Sequence, residues 1–212
     1  MKKNNIIMDN KGFSLVELIV TVLITGILML AVGLFMTTSR NAFQTVNISA
    51  TLQEESMTVE RVLSEALMEA SAYKVVTATI DSTAYKVMWI KAKDNNKAGF
   101  VSEESLYFFV HDSSKQKLFY CKKQLNDTDT IDKYINASDG SVTSTKGFEL
   151  IKSNCLGNYS KYNLISDHLV SFTDSSVKTI DGSKLIKLVC NFSYLGTEYT
   201  SNITAVSRNI KE

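Results

Sequence analysis

The hydrophobic pattern of the chain begins with one long apolar run near the N-terminus. From Leu18 to Met36, nineteen consecutive residues carry no formal charge, which is close to the roughly 20 residues that a helix needs to cross a hydrocarbon core. A secretory signal peptide has a shorter apolar region, of about 7–15 residues, followed by a small-x-small cleavage site. Residues 36–40 do not offer such a site, so the run predicts a membrane helix that the mature protein keeps.

A second pattern follows directly, over residues 37–72, and it has the period of an amphipathic helix. Its apolar stripe recurs at spacings of three and four residues, through Leu52, Ser56, Val59, Leu63, Ala66, Ala70 and Tyr73. Charged residues occupy the opposite side, which we expect to be solvated: Glu54, Glu55, Arg61, Glu65 and Glu69. Because the chain contains no proline, both runs are expected to belong to one continuous helix.

Beyond residue 72 the composition changes to β-branched and aromatic residues, which are typical of strands. Two hairpins are predicted first, Tyr73–Ile80 with Tyr85–Ala92 and Leu106–Val110 with Lys117–Lys122. Three strands end the chain, namely Leu169–Thr173, Leu185–Tyr194 and Glu198–Ser207. Residues 123–160 are polar, and an irregular loop is predicted there. Residues 73–212 are thus expected to form a globular domain, and the fold class is α+β, with the long N-terminal helix packed on an antiparallel β-sheet.

The charges indicate the orientation of the chain and limit its partners. Lys2, Lys3 and Lys11 precede the apolar run, and Arg40 is the only cation close behind it. The N-terminus is therefore predicted to face the cytoplasm and the domain to face outward. The chain has 23 Lys and Arg against 22 Asp and Glu, which argues against a strongly basic nucleic-acid footprint but is compatible with a local basic patch.

Three cysteines, Cys121, Cys155 and Cys190, lie on the predicted outer side. Their spacing matches no zinc-binding pattern such as Cys-x-x-Cys, and no metal site is predicted. Cys190 lies on the apolar face of a predicted strand, where a small buried hydrophobic residue is expected. At most one pair can close within the chain, and Cys121 with Cys155 is the pair that we expect if a disulfide forms.

Glu17 places a carboxylate at the start of the apolar run, within Lys11-Gly12-Phe13-Ser14-Leu15-Val16-Glu17. A carboxylate near the centre of a bilayer costs on the order of 3 kcal/mol on insertion scales. Glu17 therefore needs either a shallow position near the cytoplasmic interface or a cationic partner.

Residues Lys11 to Val20 resemble the processing site of type IV prepilins and of the pseudopilins of type II secretion and DNA-uptake machines. The shared features are a short basic leader, a glycine, an aromatic residue, a glutamate four residues after it and an unbroken apolar helix. The resemblance implies that a prepilin peptidase removes residues 1–12, cuts between Gly12 and Phe13, and methylates the new amino terminus of Phe13. It further implies that residues 13–36 form a membrane and filament-core helix, and that Glu17 pairs with the Phe13 ammonium of a neighbouring subunit.

The resemblance also implies the architecture and the partners. Leu164–Phe172, two strands and a closing Ser207-Arg208-Asn209 are similar to the larger minor pilins and to the J-type minor pseudopilin, which are thought to form a tip complex that primes the filament. The expected partners are the prepilin peptidase, other pilins or pseudopilins, an assembly ATPase with its platform protein, and the membrane that the chain crosses once. We therefore expect a structural subunit, minor rather than major.

The sequence contains little that would support catalysis. His111 and His168 each lie beside an aspartate at a strand end, without a nucleophile motif, and are interpreted as surface histidines. No glycine-rich phosphate loop is present. The segment Asp127-Thr128-Asp129-Thr130-Ile131-Asp132 lacks the glycine and the distal glutamate of a calcium loop. No catalytic residue, cofactor or metal is predicted, and the chain is not expected to be an enzyme.

One group of residues offers an alternative function. Cations that hold phosphate alternate with aromatic rings that stack on bases at Lys115, Lys117, Phe119, Tyr120, Lys122 and Lys123. Lysines that alternate along a half-exposed strand give the same pattern without any ligand. The alternative to a purely structural subunit is therefore a filament-tip adhesin or a DNA-binding receptor that uses the Lys115–Lys123 strand.

Overall fold

The computed structural model describes residues 14–93, 104–126, 130–136, 138–142, 146–157, 160–180 and 183–207. The chain divides into two compact units, with the boundary between Asn47 and Ile48. The described part of the first unit is helical, and the second unit contains the rest of that helix together with two antiparallel sheets.

The long helix α1 extends over Leu15–Met68, so the two apolar patterns belong to one helix, as predicted. Polar side chains in its apolar part bond to the preceding turn. Thr21 Oγ1 donates to the Leu18 carbonyl at 2.8 Å, and Thr25 Oγ1 donates to the Thr21 carbonyl at 2.7 Å. These bonds satisfy hydroxyl groups in a stretch that lacks other polar partners.

In the second unit, α1 buries the predicted apolar stripe. The buried residues of the helix are Leu52, Ser56, Val59, Leu63, Ala66 and Leu67. The helix ends at Met68 and a strand starts at Ala70, although the pattern predicts helical character to residue 72. The reason is tertiary, because Ala70 already pairs with Ala92 in the neighbouring strand, and the local period cannot show this partner.

The first sheet has five antiparallel strands in the order β1-β2-β3-β4-β5. They are β1 Ala70–Ile80, β2 Thr83–Lys93, β3 Glu104–Asp112, β4 Lys117–Leu125 and β5 Leu164–Ser166. Asp81 and Ser82 form the β1–β2 turn with φ of 49° and 66°, the positive values that a two-residue type I′ hairpin requires. Both predicted hairpins are confirmed, with longer strands than the composition alone indicates.

The second sheet has three antiparallel strands in the order β6-β7-β8. They are β6 Leu169–Ile180, β7 Ser183–Tyr194 and β8 Thr197–Ser207. Leu195 and Gly196 form the β7–β8 turn with φ of 47° and 81°. The three predicted C-terminal strands are confirmed, and the α+β fold of a long helix on antiparallel sheet is consistent with the pilin fold.

Two hydrophobic cores hold the second unit together. The first core joins the buried stripe of α1 to one face of each sheet, through side chains such as Met88, Phe109, Leu169, Ile186 and Phe192. The second core lies on the other face of the five-stranded sheet, because side chains alternate along each strand. Its strand members include Val87, Trp89, Phe108, Val110, Phe119 and Cys121.

The second core is closed by the described residues among 130–157, which we call the cover segment. It contains a 3₁₀ turn at Ile131–Lys133, helix α2 at Lys146–Ile151 and a π-helical turn at Lys152–Leu156. Helix α3, Ser160–Asn163, then leads into β5. The sequence predicts an irregular loop over residues 123–160, whereas β4 runs to Leu125 and short helices follow. Each of these short helices contains too few apolar residues to show a helical period in the sequence.

Candidate functional site

The candidate assembly site is the start of α1. Gly12 and Phe13, the residues of the predicted cleavage and methylation, lie outside the described residues. Ser14 immediately precedes the helix, and its Oγ accepts a hydrogen bond from the Glu17 backbone N–H at 3.2 Å. The Ser14 carbonyl accepts the first helical bond from Leu18 N–H, also at 3.2 Å. Ser14 is thus an N-cap residue, and α1 begins two residues after the predicted cleavage point.

The carboxylate of Glu17 lies in the first turn of α1 and is exposed. A negative charge is favourable at this end of a helix, where backbone N–H groups lack helical partners. The ion pairs among the described residues do not include Glu17. Its carboxylate is therefore available to a cation from outside the part of the chain that the structure describes.

The first unit presents an apolar surface around the helix. Large hydrophobic residues from Leu15 to Met36 are all more than 45% exposed, including Leu15, Val20, Leu23, Leu28, Leu30 and Phe35. This stretch is long and apolar enough to cross a membrane, and none of it is buried. Gly26 and Gly33 leave open space where a Cβ would lie, so the helix is free to approach a neighbouring helix closely at both positions.

The six residues considered for DNA contact do not form one surface. Lys115 Nζ lies 3.6 Å from the carboxylate of the buried Asp112, and Lys117 Nζ lies 2.8 Å from the carboxylate of Asp167. Phe119 is buried in the second core, so its ring is not available to stack on a base.

Tyr120 and Lys122 lie on the face of β4 opposite Phe119, because side chains alternate along a strand. The Tyr120 ring centroid lies 5.2 Å from that of Phe109 and 6.1 Å from that of Tyr107. Lys122 Nζ lies 5.1 Å from the centroid of the Tyr107 ring, a cation–π contact. Burial raises the pKa of Tyr120 to about 12. These groups contact one another within the domain rather than forming an open stacking platform.

The interpretation of both histidines as surface residues is wrong for His111. It is 1% exposed, its Nε2 lies 2.8 Å from the Leu169 carbonyl oxygen, and its ring meets the Phe172 ring edge-on. Burial lowers the pKa of His111, and the nearby Lys86 acts in the same direction. Because Leu169 and Phe172 belong to β6, a neutral His111 joins the first sheet to the second.

Sequence reasoning missed a polar cluster around Glu55. The Glu55 carboxylate accepts hydrogen bonds from Ser166 Oγ at 2.7 Å and from the backbone N–H groups of Asp167 and His168 at 3.2 Å each. His168 Nδ1 lies 2.7 Å from Glu55 Oε1. The pattern assigns Glu55 to the solvated face of α1, and nothing local in the sequence shows a partner more than a hundred residues away.

The three cysteines are buried, and this structure shows them in the reduced form. Cys121 and Cys155 belong to the second core, whereas Cys190 belongs to the first, as expected for a small buried hydrophobic residue. Among the described residues, no three His, Cys, Asp or Glu side chains are grouped so that they could hold a metal ion. Asp127 and Asp129, considered for calcium, lie outside the part of the chain that the structure describes.

Comparison with known protein families matches residues 7–33 to the family described as the prokaryotic N-terminal methylation motif. The match includes Gly12, Phe13 and Glu17 and the first part of the apolar helix. No curated protein and no solved structure matches the chain. The chain thus carries a prepilin-type N-terminal motif, which supports a type IV pilin-like or pseudopilin subunit.

Proposed function

We propose that the protein is a minor pilin or pseudopilin, a structural subunit of a type IV pilus or a related secretion or DNA-uptake filament. One observation carries the proposal: the methylation motif covers residues 7–33 and leads into a helix whose large apolar side chains are exposed all round. Such a surface requires either lipid or other helices around it. A membrane satisfies this requirement before assembly, and a bundle of subunit helices satisfies it afterwards.

Processing supplies the charge that directs assembly. Prepilin peptidase cuts between Gly12 and Phe13 and methylates the new amino group of Phe13, which stays cationic. Glu17 has its backbone N–H capped by Ser14, and its carboxylate accepts the Phe13 ammonium of a neighbouring subunit. A buried ion pair adds little net stability, but a buried charge without its partner costs several kcal/mol. The pair therefore selects the register of neighbouring helices.

The partners and the location follow from this path. Before assembly the chain crosses the cytoplasmic membrane once with residues 13–36, with Lys2, Lys3 and Lys11 on the cytoplasmic side. A platform protein and its ATPase then transfer it to a filament of other pilins or pseudopilins. The second unit, with its two sheets and cover segment, is displayed outside the membrane. A minor, priming or tip position suits a subunit with so large a domain.

The alternative of an adhesin or DNA receptor has less support. Of the six residues considered for DNA contact, Phe119 is buried and Lys115 and Lys117 pair with carboxylates. We therefore do not propose the Lys115–Lys123 strand as a ligand-binding site of the displayed domain.

A substitution at Glu17 tests the proposal. In a strain without the wild-type copy, Glu17→Ala is expected to be processed normally but to enter the sheared filament fraction at least about tenfold less, because the Phe13 ammonium loses its partner. Glu54→Ala is the matched control, since Glu54 is another exposed glutamate on α1, and it is expected to assemble like the wild type. Equal incorporation of Glu17→Ala and the wild type would contradict the proposed pairing.

A further inference from the structure

Two of the three cysteines meet beneath the cover segment. Cys121 lies on β4 and is 4% exposed, and Cys155 lies in the π-helical turn and is 0% exposed. Both belong to the second core, where the π-helical turn contacts β4. The neighbouring Cys121 thiol, together with burial, raises the pKa of the Cys155 thiol. The two thiols thus lie in one buried cluster, on the two elements that pack together where the cover segment meets the sheet.

The third cysteine cannot compete for this pairing. Cys190 lies on β7 and belongs to the first core. The Cys121 side chain points to the other face of the five-stranded sheet, away from the first core. A disulfide requires its two Cα atoms within about 7 Å, so a bond between Cys190 and either of the other two would require the core to be taken apart. Only one intrachain pairing fits the fold.

We infer that Cys121 and Cys155 form an intrachain disulfide in the mature protein and that this bond fastens the cover segment to β4. The inference rests on the proposed function, because that function places the domain on the outer side of the membrane, where disulfides persist. The oxidant is the disulfide of an extracytoplasmic thiol–disulfide oxidoreductase. The S–S bond of the oxidoreductase breaks and the Cys121–Cys155 S–S bond forms. The two protons and two electrons of the Cys121 and Cys155 thiols pass to the oxidoreductase, whose disulfide becomes two thiols.

The order of events follows from burial. The neighbouring Cys121 thiol and burial raise the pKa of the Cys155 thiol, and the thiolate is the reactive form. The closed pair therefore reacts slowly, and the bond forms during folding while the cover segment is still open. Once closed, the second core shields the bond from reductants. The bond encloses residues 122–154, a loop that it would restrict in the unfolded chain.

Thiol counting on the full-length protein tests the inference. Cells of the native host are quenched in acid, and the protein is denatured, alkylated with a maleimide before reduction and mapped by mass spectrometry. One alkylated cysteine per chain, Cys190, and a cross-linked peptide joining Cys121 to Cys155 are expected. The Cys190→Ser variant should then show no alkylated thiol, and Cys121→Ser should show two. Three alkylated cysteines in the wild type, or a cross-link to Cys190, would overturn the inference.

A second arm separates the pairing from the orientation of the chain. The purified full-length chain is reduced, unfolded, and refolded in detergent with glutathione disulfide as the oxidant. A Cys121–Cys155 bond in this sample but not in cells would overturn the native disulfide and would locate the error in the outward orientation that the proposed function assumes. The absence of the bond from both samples would overturn the pairing itself. That result would leave the proposed function untouched, because N-terminal processing is read separately from the same preparation.

Discussion

The carboxylate of Glu55 contacts four hydrogen-bonding groups at the end of β5 and in the turn that leads to β6. Ser166 Oγ and two backbone N–H groups bond to Oε2, while His168 Nδ1 lies 2.7 Å from Oε1. The His168 ring is itself held by Tyr194, whose ring centroid lies 4.1 Å away. Charge-assisted hydrogen bonds of this kind are stronger than neutral ones. A single side chain of α1 thus ties the helix to the start of the second sheet.

Replacing Glu55 by Gln is expected to destabilise the second unit. The amide keeps the shape of the side chain but loses the charge and one acceptor, so the free energy of unfolding should fall by about 1–3 kcal/mol. Denaturant unfolding of the purified chain in detergent measures this change. Glu54→Gln, at the neighbouring exposed position, should change stability by less than about 0.5 kcal/mol. Equal effects of the two substitutions would show that the cluster adds no stability.

His111 makes the stability of the fold depend on pH. Its folded pKa lies below the ordinary value of 6.5 because burial penalises the charged ring. The unfolded chain therefore binds a proton more readily than the folded chain, and stability falls as the pH drops below about 6.5. Lys86 adds to the lowering of this pKa, while Asp112 and the Leu169 carbonyl oppose it.

The expected loss is at most about 1.4 kcal/mol per pH unit for a single group. Unfolding free energies of the wild type and of His111→Gln, measured between pH 7.5 and 5.5, give the test; these pH limits span roughly one unit on either side of the ordinary histidine value. The difference between the two proteins should shrink as the pH falls, because only the wild type loses the contribution of neutral His111. A difference that is constant with pH would contradict this role.

The cover segment is the element that seals the second core, and it depends on one close approach. A Cβ at Gly147 would collide with the Tyr134 carbonyl oxygen and would lie 2.6 Å from Val142 Cγ1. Backbone cannot give way cheaply at such distances, so only glycine lets α2 pack against the preceding turn. Two hydrogen bonds hold the neighbouring turn, at Asp139 and Gly140, to the first sheet. Trp89 Nε1 donates to the Gly140 carbonyl oxygen at 2.9 Å, and Lys74 Nζ donates to the Asp139 carbonyl oxygen.

Gly147→Ala is expected to loosen the cover segment without unfolding α1. Overpacking of this kind typically costs about 1–3 kcal/mol, and hydrogen exchange should rise in residues 130–157 and on the covered face of β4. Glu149→Ala, an exposed change on the same helix, is the matched control and should leave exchange unchanged. Unaltered exchange in Gly147→Ala would mean that the segment accommodates the added methyl group.

The elements differ in how far the sequence predicts them. The stripe of α1 and the alternation in β7 are local periods, so Leu63 and Cys190 could be recognised as core residues from spacing alone. The cover segment has no period because its apolar residues occur in short groups among polar ones, such as Tyr134-Ile135 and Phe148-Glu149-Leu150-Ile151. The contacts of Glu55 and His111 join distant parts of the chain, and burial of a polar residue by a distant partner leaves no local signal in a single sequence.

At the scale of the whole molecule, the two units have different solvent requirements. Residues 48–212 bury two cores, and their polar groups are exposed or bonded: no buried side-chain nitrogen or oxygen in the described part of the chain lacks a partner. The described residues of the first unit instead expose apolar side chains that no other described residue covers. The methylation motif stands at the start of that helix, which is why assembly is assigned to the helix rather than to the domain.

Mass spectrometry of the N-terminal peptide from chains recovered in the filament fraction of the native host tests this assignment most directly. The peptide is expected to begin at Phe13 and to carry one methyl group on its amino terminus, with residues 1–12 absent. The methylated amine is the cation that Glu17 is proposed to meet. Recovery of chains that still begin at Met1 would contradict the processing step and, with it, the role of the protein as a pilin-like subunit.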